Sequence, residues 1–116
     1  MLAAHHINAF LVLASAGITF AVGLVAYRRG RAGAAVAQLI ALVQTLLVAQ
    51  VGLGLLLLSS HHRAPQRLHY AYGTFALAAA LSPWLYAPAD PRKRLLWFTV
   101  ATLIAGALAG RAYMTA

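Results

Sequence analysis

Residues 34–58 read AAVAQLIALVQTLLVAQVGLGLLLL and contain no charged side chain. At about 1.5 Å of rise per residue, roughly 20 apolar residues in one helix cross the hydrocarbon core of a bilayer, which is about 30 Å thick. Four apolar segments of comparable length cover roughly residues 5–27, 34–58, 67–87 and 94–114. We therefore predict an all-α, polytopic membrane protein whose single domain, residues 1–116, is a four-transmembrane-helix antiparallel bundle.

The composition supports a membrane protein over a soluble one. Hydrophobic residues make up 63% of the chain and charged residues only 9%, whereas about a quarter of the residues of a soluble domain are charged. The net charge is +8, but the basic residues form short clusters between apolar runs, which argues against a nucleic-acid partner. The lipid bilayer is the expected partner, with anionic headgroups as the counter-charge.

The chain has no cysteine, which excludes disulfides, thiolate catalysis, iron–sulfur clusters and zinc-thiolate sites. The amino terminus lacks the basic region of a signal peptide, so we interpret it as a retained first helix.

The polar connections between the apolar segments predict the orientation. The first and third connections, RRGRAG (28–33) and APADPRKR (87–94), carry more basic residues than the second, SSHHRAPQ (59–66). The positive-inside rule places the first and third connections in the cytoplasm and both termini outside. We expect the cytoplasmic membrane of a bacterium or an archaeon.

Three features inside the apolar segments predict how the helices pack. Pro83 interrupts the third segment, so it should kink that helix and release a backbone carbonyl. Gln44 is expected to form a hydrogen bond between helices. Small residues in ATLIAGALAG (101–110) and QVGLG (50–54) should permit close contact between helices.

All five histidines fall on the predicted outer side of the membrane: His5, His6, His61, His62 and His69. His69 differs from the others because it lies about one turn inside the third segment. A polar ring buried in lipid normally faces a partner or a cofactor. One interpretation is structural, with His69 hydrogen-bonded to Gln50, Asn8 or a neighbouring carbonyl.

The functional interpretation is axial ligation of a heme iron by His69 and by a histidine at the start of the first segment, because heme iron accepts neutral imidazole. Gly73 lies on the same face as His69 one turn deeper, and Gly52 and Gly54 lie at a matching depth near Gln50. These glycines would leave room for the macrocycle.

Arginines near the same end could neutralise the heme propionates through charge-assisted hydrogen bonds. The candidates are Arg63, Arg67 and Arg111. Arg111 lies within the fourth segment, so its alternative role is to snorkel towards the outer interface.

The pieces HHINA (5–9), QVGLG (50–54) and LHYAYG (68–73), in this order, resemble the C-terminal four-helix half of the heme A synthase family over about residues 3–85. The resemblance implies a b-type heme held near the outer surface by two histidines, which correspond to His6 and His69, with His5 as the alternate for the first. The family's catalytic half uses a glutamate one turn before a histidine, and this chain has no glutamate. The resemblance therefore implies a cofactor-holding module, not an enzyme by itself. Two copies, or one copy beside a larger membrane partner, would restore an eight-helix arrangement.

The sequence thus predicts a small, cytochrome b-like membrane protein that binds heme b for electron transfer or heme handling. One alternative is a non-catalytic accessory subunit of a respiratory or assembly complex, without a cofactor and with interfacial histidines. Another is a copper or other transition-metal site at His5, His6, His61 and His62, since imidazole clusters suit such ions. Proton-coupled transport is disfavoured because no acidic residue lies within a predicted span.

Overall fold

The computed structural model of the chain describes residues 2–30, 33–61, 64 and 66–115. Five helices form within these residues: α1 (Leu2–Arg28), α2 (Ala34–Ser59), α3 (Leu68–Leu81), α4 (Pro83–Tyr86) and α5 (Pro91–Met114). They form an elongated bundle that measures 48 × 24 × 19 Å. The predicted all-α class is confirmed.

Three of the helices, α1, α2 and α5, are long and apolar enough to cross a membrane. Many large apolar side chains point outwards from the bundle, among them Phe10, Leu55 and Phe75, each at least 60% exposed. An apolar surface of this extent is unusual on a soluble monomer, where exposed apolar patches are small.

The predicted third segment contains two helices rather than one. α3 ends at Leu81 and α4 begins at Pro83, because proline has no N–H to donate to the carbonyl four residues earlier, that of Ala79. The hydroxyl of Ser82 donates to this carbonyl instead, at 2.9 Å. The sequence predicted a kink at Pro83, and the structure ends one helix and begins another there. The released carbonyl, which was also predicted, is satisfied locally.

Gln44 of α2 joins the two halves of this broken segment. Its Nε2 donates to the carbonyl of Ala80 at 3.1 Å, and its Oε1 accepts from the indole N–H of Trp84 at 3.0 Å. Gln44 is therefore the interhelical link that the sequence predicted.

α1 packs against α2 and α5, and α5 packs against α3, whereas α2 and α3 touch less extensively. The α1–α5 contact depends on small residues. A Cβ placed on Gly23 would lie 2.5 Å from Oγ1 of Thr99, and one on Gly106 would lie 3.2 Å from the Cβ of Ala16. The close approach predicted for the fourth segment is confirmed. The central core is correspondingly built of small side chains and a few larger ones: Val12, Ala16, Val43, Leu47, Ala76, Ala80 and Ala105.

The two basic connections meet at one end of the bundle. The guanidinium of Arg92 lies 4.6 Å from the centre of the Tyr27 ring, which joins the start of α5 to the end of α1. Asp90 caps α5, its Oδ2 accepting from the backbone N–H of Lys93 at 3.0 Å. The opposite end, where α1 begins, contains His5, His6 and His69.

Candidate functional site between α1 and α3

A cavity of about 530 Å³ lies at the histidine end of the bundle, and residues of α1, α2, α3 and α5 line it. Its size is within the range of about 300–1,000 Å³ that ligand pockets have. The walls are mostly apolar, and the polar groups include His5, His6, Gln50 and His69. An apolar cavity with a few convergent polar groups suits a small, largely apolar ligand.

The rings of His5 and His69 face each other across this part of the bundle. Their centroids lie 6.1 Å apart, with an angle of 74° between the ring planes. Imidazole nitrogens lie about 2.0 Å from a bound zinc ion, and a similar bond length on opposite sides of one ion would place two ring centroids about 6 Å apart. The two rings are therefore close enough that both could contact one bound metal ion.

The orientation of His69 is fixed by a backbone carbonyl. Its Nδ1 lies 2.7 Å from the carbonyl oxygen of Ala112 on α5. Because a carbonyl only accepts, Nδ1 carries the proton, and Nε2 of the neutral ring keeps its lone pair. Histidines that ligate metals are usually held in this way. The structural interpretation of His69 predicted a hydrogen bond to a neighbouring carbonyl, and this bond is present. It uses Nδ1 of the ring and leaves Nε2 without a hydrogen bond to Ala112.

A chain of amide hydrogen bonds holds His5. Nδ2 of Asn8 donates to the carbonyl of Leu46 and to Oε1 of Gln50, both at 2.9 Å. Nε2 of Gln50 then donates to the carbonyl of His5 at 3.0 Å and approaches Nε2 of the same histidine at 3.4 Å. Nδ1 of His5 is buried without a hydrogen-bond partner among the described residues. Buried polar atoms are nearly always paired, so the unpaired nitrogen of His5 is an exception that needs an explanation.

The remaining histidines are placed differently. His6 also lines the cavity, but it is exposed, and its ring centroid lies 6.5 Å from that of His5. His5 is thus the member of the pair that lies beside His69. His61 is exposed beyond the end of α2, with a φ of 65°, and His62 lies outside the described residues.

Within the described ranges, no three His, Asp, Glu or Cys side chains converge on a common point. The copper alternative, which needs such a cluster, therefore gains no support from this part of the chain.

Two of the three predicted glycines lie at the site. A Cβ on Gly54 would lie 3.4 Å from Cε1 of His5, so this glycine gives the ring its space. Gly73 lines the cavity and has open space where a Cβ would be. Gly52 is exposed and outside the cavity wall, so the structure does not bring it to the site.

The two predicted arginines that the structure describes do not line the cavity. Arg67 is exposed. Arg111 is exposed as well, and its guanidinium lies 5.6 Å from the centre of the Tyr72 ring. This position favours the snorkelling alternative for Arg111. Arg63 lies outside the described residues.

Sequence reasoning missed the carbonyl of Ala112, which orients His69. An alanine on an apolar helix gives no signal that its backbone accepts a side-chain hydrogen bond, so only the packing of α3 against α5 could reveal it.

The chain matches no protein-family model, no curated protein and no solved structure. The resemblance to the heme A synthase family therefore stays a prediction. The geometry of the cavity carries the functional argument.

Proposed function

We propose that this chain is an integral membrane protein with four membrane passages that binds heme b between His5 and His69, for electron transfer or heme handling. Three helices have the length and apolarity of membrane spans. The fourth passage is the pair α3 and α4, which runs from residue 68 to residue 86, close to the roughly 20 residues that a bilayer requires. The exposed apolar side chains of the bundle support contact with lipid.

The charge distribution supports an orientation with the histidine end outside. Arg28, Arg29, Arg92, Lys93 and Arg94 gather at the other end, which the positive-inside rule assigns to the cytoplasm. The proposed heme site then lies near the extracytoplasmic boundary, and both termini lie outside. We propose the cytoplasmic membrane of a bacterium or an archaeon as the location.

One observation carries the heme proposal: two imidazoles from different helices lie 6.1 Å apart on one apolar cavity. His69 would ligate through Nε2, because Ala112 occupies its Nδ1. His5 would ligate through Nδ1, its unpaired nitrogen. Ligation through Nδ1 would place the proton on Nε2, which lies 3.4 Å from the amide nitrogen of Gln50, so that contact would have to widen on binding. His6 remains the alternate ligand.

A bound heme would supply reversible one-electron chemistry, and the protein would contribute ligands and shelter from water. The single acidic residue, Asp90, lies at the other end of the bundle as the cap of α5. No acidic side chain therefore lies at the histidine end. One-electron chemistry at a heme iron needs no acid or base from the protein, which fits a chain with a single acidic residue.

The visible spectrum of the purified chain, oxidised and reduced, tests the proposal. We expect a Soret band whose position shifts on reduction. The band should be lost in His69→Ala and kept in His61→Ala, a histidine of the same end that is exposed outside the helices. A colourless wild-type protein expressed with heme available, or an unchanged spectrum in His69→Ala, would refute it. Circular dichroism of both variants shows whether the fold is intact.

The alternative is an accessory subunit of a larger membrane complex, without a cofactor. It is favoured by the hydrogen bonds that His69 and Gln50 already form within the protein, which give both side chains a structural role. It predicts a colourless chain that co-purifies with a larger membrane partner. A homodimer is a further arrangement in which the exposed apolar surface would be covered.

A further inference from the structure

A second cavity, of about 230 Å³, lies at the basic end of the bundle, between the end of α1 and the start of α5. Tyr27, Gly30, Asp90 and Arg92 supply its polar wall, and Leu95 is part of its apolar wall. The cavity is thus bounded by both basic connections, at the opposite end from the proposed heme site.

Arg92 and Asp90 are charged side chains of the cavity wall, but the positive charge at this end of the bundle exceeds what the acidic side chain of Asp90 can neutralise. The chain has nine lysines and arginines and a single acidic residue. Asp90, that single acid, lies in the cavity wall, where its carboxylate accepts the backbone N–H of Lys93. One carboxylate can pair with one cation at most, so the other basic residues at this end of the bundle have no acidic side chain as a partner and attract external anions. These cations are Arg28, Arg29, Arg92, Lys93 and Arg94.

Aromatic rings hold two of the guanidinium groups in place. The guanidinium of Arg92 lies 4.6 Å from the centre of the Tyr27 ring, and its Nη2 lies 3.5 Å from the carbonyl oxygen of Tyr27. That of Arg94 lies 5.4 Å from the centre of the Trp84 ring. A guanidinium stacked on a ring keeps its N–H groups free at the edge, where they can donate to phosphate oxygens in a fixed geometry.

We propose that this cavity binds the phosphate headgroup of an anionic phospholipid from the cytoplasmic leaflet. Basic pockets between membrane helices on this side are suited to such headgroups. The two helices that bound the cavity also carry exposed large apolar side chains, among them Val25 on α1 and Trp97 on α5, and the acyl chains of a lipid would use such a surface whereas a free anion would not. The inference rests on the membrane placement of the proposed function and is independent of heme.

The test measures binding of phosphatidylglycerol to the full chain in a neutral detergent, for instance by native mass spectrometry, with phosphatidylcholine as the neutral control lipid. Arg92→Gln should weaken binding about fivefold, the equivalent of about 1 kcal/mol for one basic residue near a membrane surface. Asp90→Asn should strengthen it by a similar factor, because asparagine caps a helix as well as aspartate does but removes the negative charge. Arg67→Gln, at the other end of the bundle, should have no effect.

Three outcomes would overturn the inference. If phosphatidylcholine binds as tightly as phosphatidylglycerol, the negative charge of the lipid does not determine binding. If Arg92→Gln and Arg67→Gln weaken phosphatidylglycerol binding equally, the lipid does not bind specifically at this cavity. Saturation by inorganic phosphate at the same concentration as by phosphatidylglycerol would indicate a site for free anions instead. The heme spectrum should be unchanged in Arg92→Gln. Lipid binding and the visible spectrum therefore test the lipid site and the heme site separately.

Discussion

Nδ1 of His69 and the carbonyl oxygen of Ala112 lie 2.7 Å apart and join α3 to α5 at the histidine end of the bundle. This hydrogen bond sets the tautomer of the ring and leaves Nε2 with its lone pair. It also gives the ring an internal partner in the first turn of α3, since the helix begins at Leu68, and His69 therefore lies nearer the helix start than the sequence predicted. The identity of the second histidine is then the main question about the site.

We expect His5→Ala to lose bound heme and His6→Ala to retain it. The His5 ring is half-buried and lies 6.1 Å from His69, whereas His6 is exposed. The measurement is the ratio of Soret absorbance to protein for each purified variant. The opposite pattern, with heme lost only in His6→Ala, would show that α1 is rotated or shifted in the heme-bound protein and that His6 is the ligand.

A larger residue at Gly54 should disturb the site. A Cβ there would already lie 3.4 Å from Cε1 of His5, so the further carbons of Gly54→Val would push the ring from its position. We expect reduced heme content and a shifted Soret band. Gly52→Val is the matched control, because Gly52 lies on the same helix with open space around it. Equal losses of bound heme in Gly54→Val and Gly52→Val would indicate that valine disturbs α2 in general and not the space around His5.

Adding a methyl group at the contact between α1 and α5 should destabilise the bundle. Gly23→Ala removes a helix-destabilising glycine, a gain of about 1 kcal/mol. The new Cβ would lie 2.5 Å from Oγ1 of Thr99, however, and overpacking of this kind costs about 1–3 kcal/mol. We expect a net loss of thermal stability in detergent.

Thr99→Ala should rescue that variant. The hydroxyl of Thr99 is buried without a hydrogen-bond partner among the described residues, so its removal breaks no bond and clears the space. The double variant should therefore melt at a higher temperature than Gly23→Ala alone. Simple additivity of the two single changes would contradict this close contact.

The sequence predicted the parts of the fold that depend on length, charge and proline. Apolar segments and basic connections identify the helices and the two ends of the bundle, and Pro83 identifies the break between α3 and α4. The positions of individual side chains were harder to predict, because several rotations of an apolar helix bury similar surface. For this reason the sequence predicted His6 as the first ligand, with His5 only as its alternate, and it assigned Gly52 and Arg111 to a site that neither of them lines.

The amide chain from Asn8 to Gln50 should contribute measurable coupling between α1 and α2. Nδ2 of Asn8 donates to Oε1 of Gln50 at 2.9 Å, and hydrogen bonds between membrane helices are worth about 0.6 kcal/mol on average and about 1.7 at most. A double-mutant cycle with Asn8→Leu and Gln50→Leu should give a coupling energy in this range, with the double variant less destabilised than the sum of the singles. Gln38→Leu, at an exposed position of α2, should leave stability nearly unchanged. A coupling energy of zero would mean that the two amides do not meet in the membrane-embedded protein, and His5 would then lack the support that orients it.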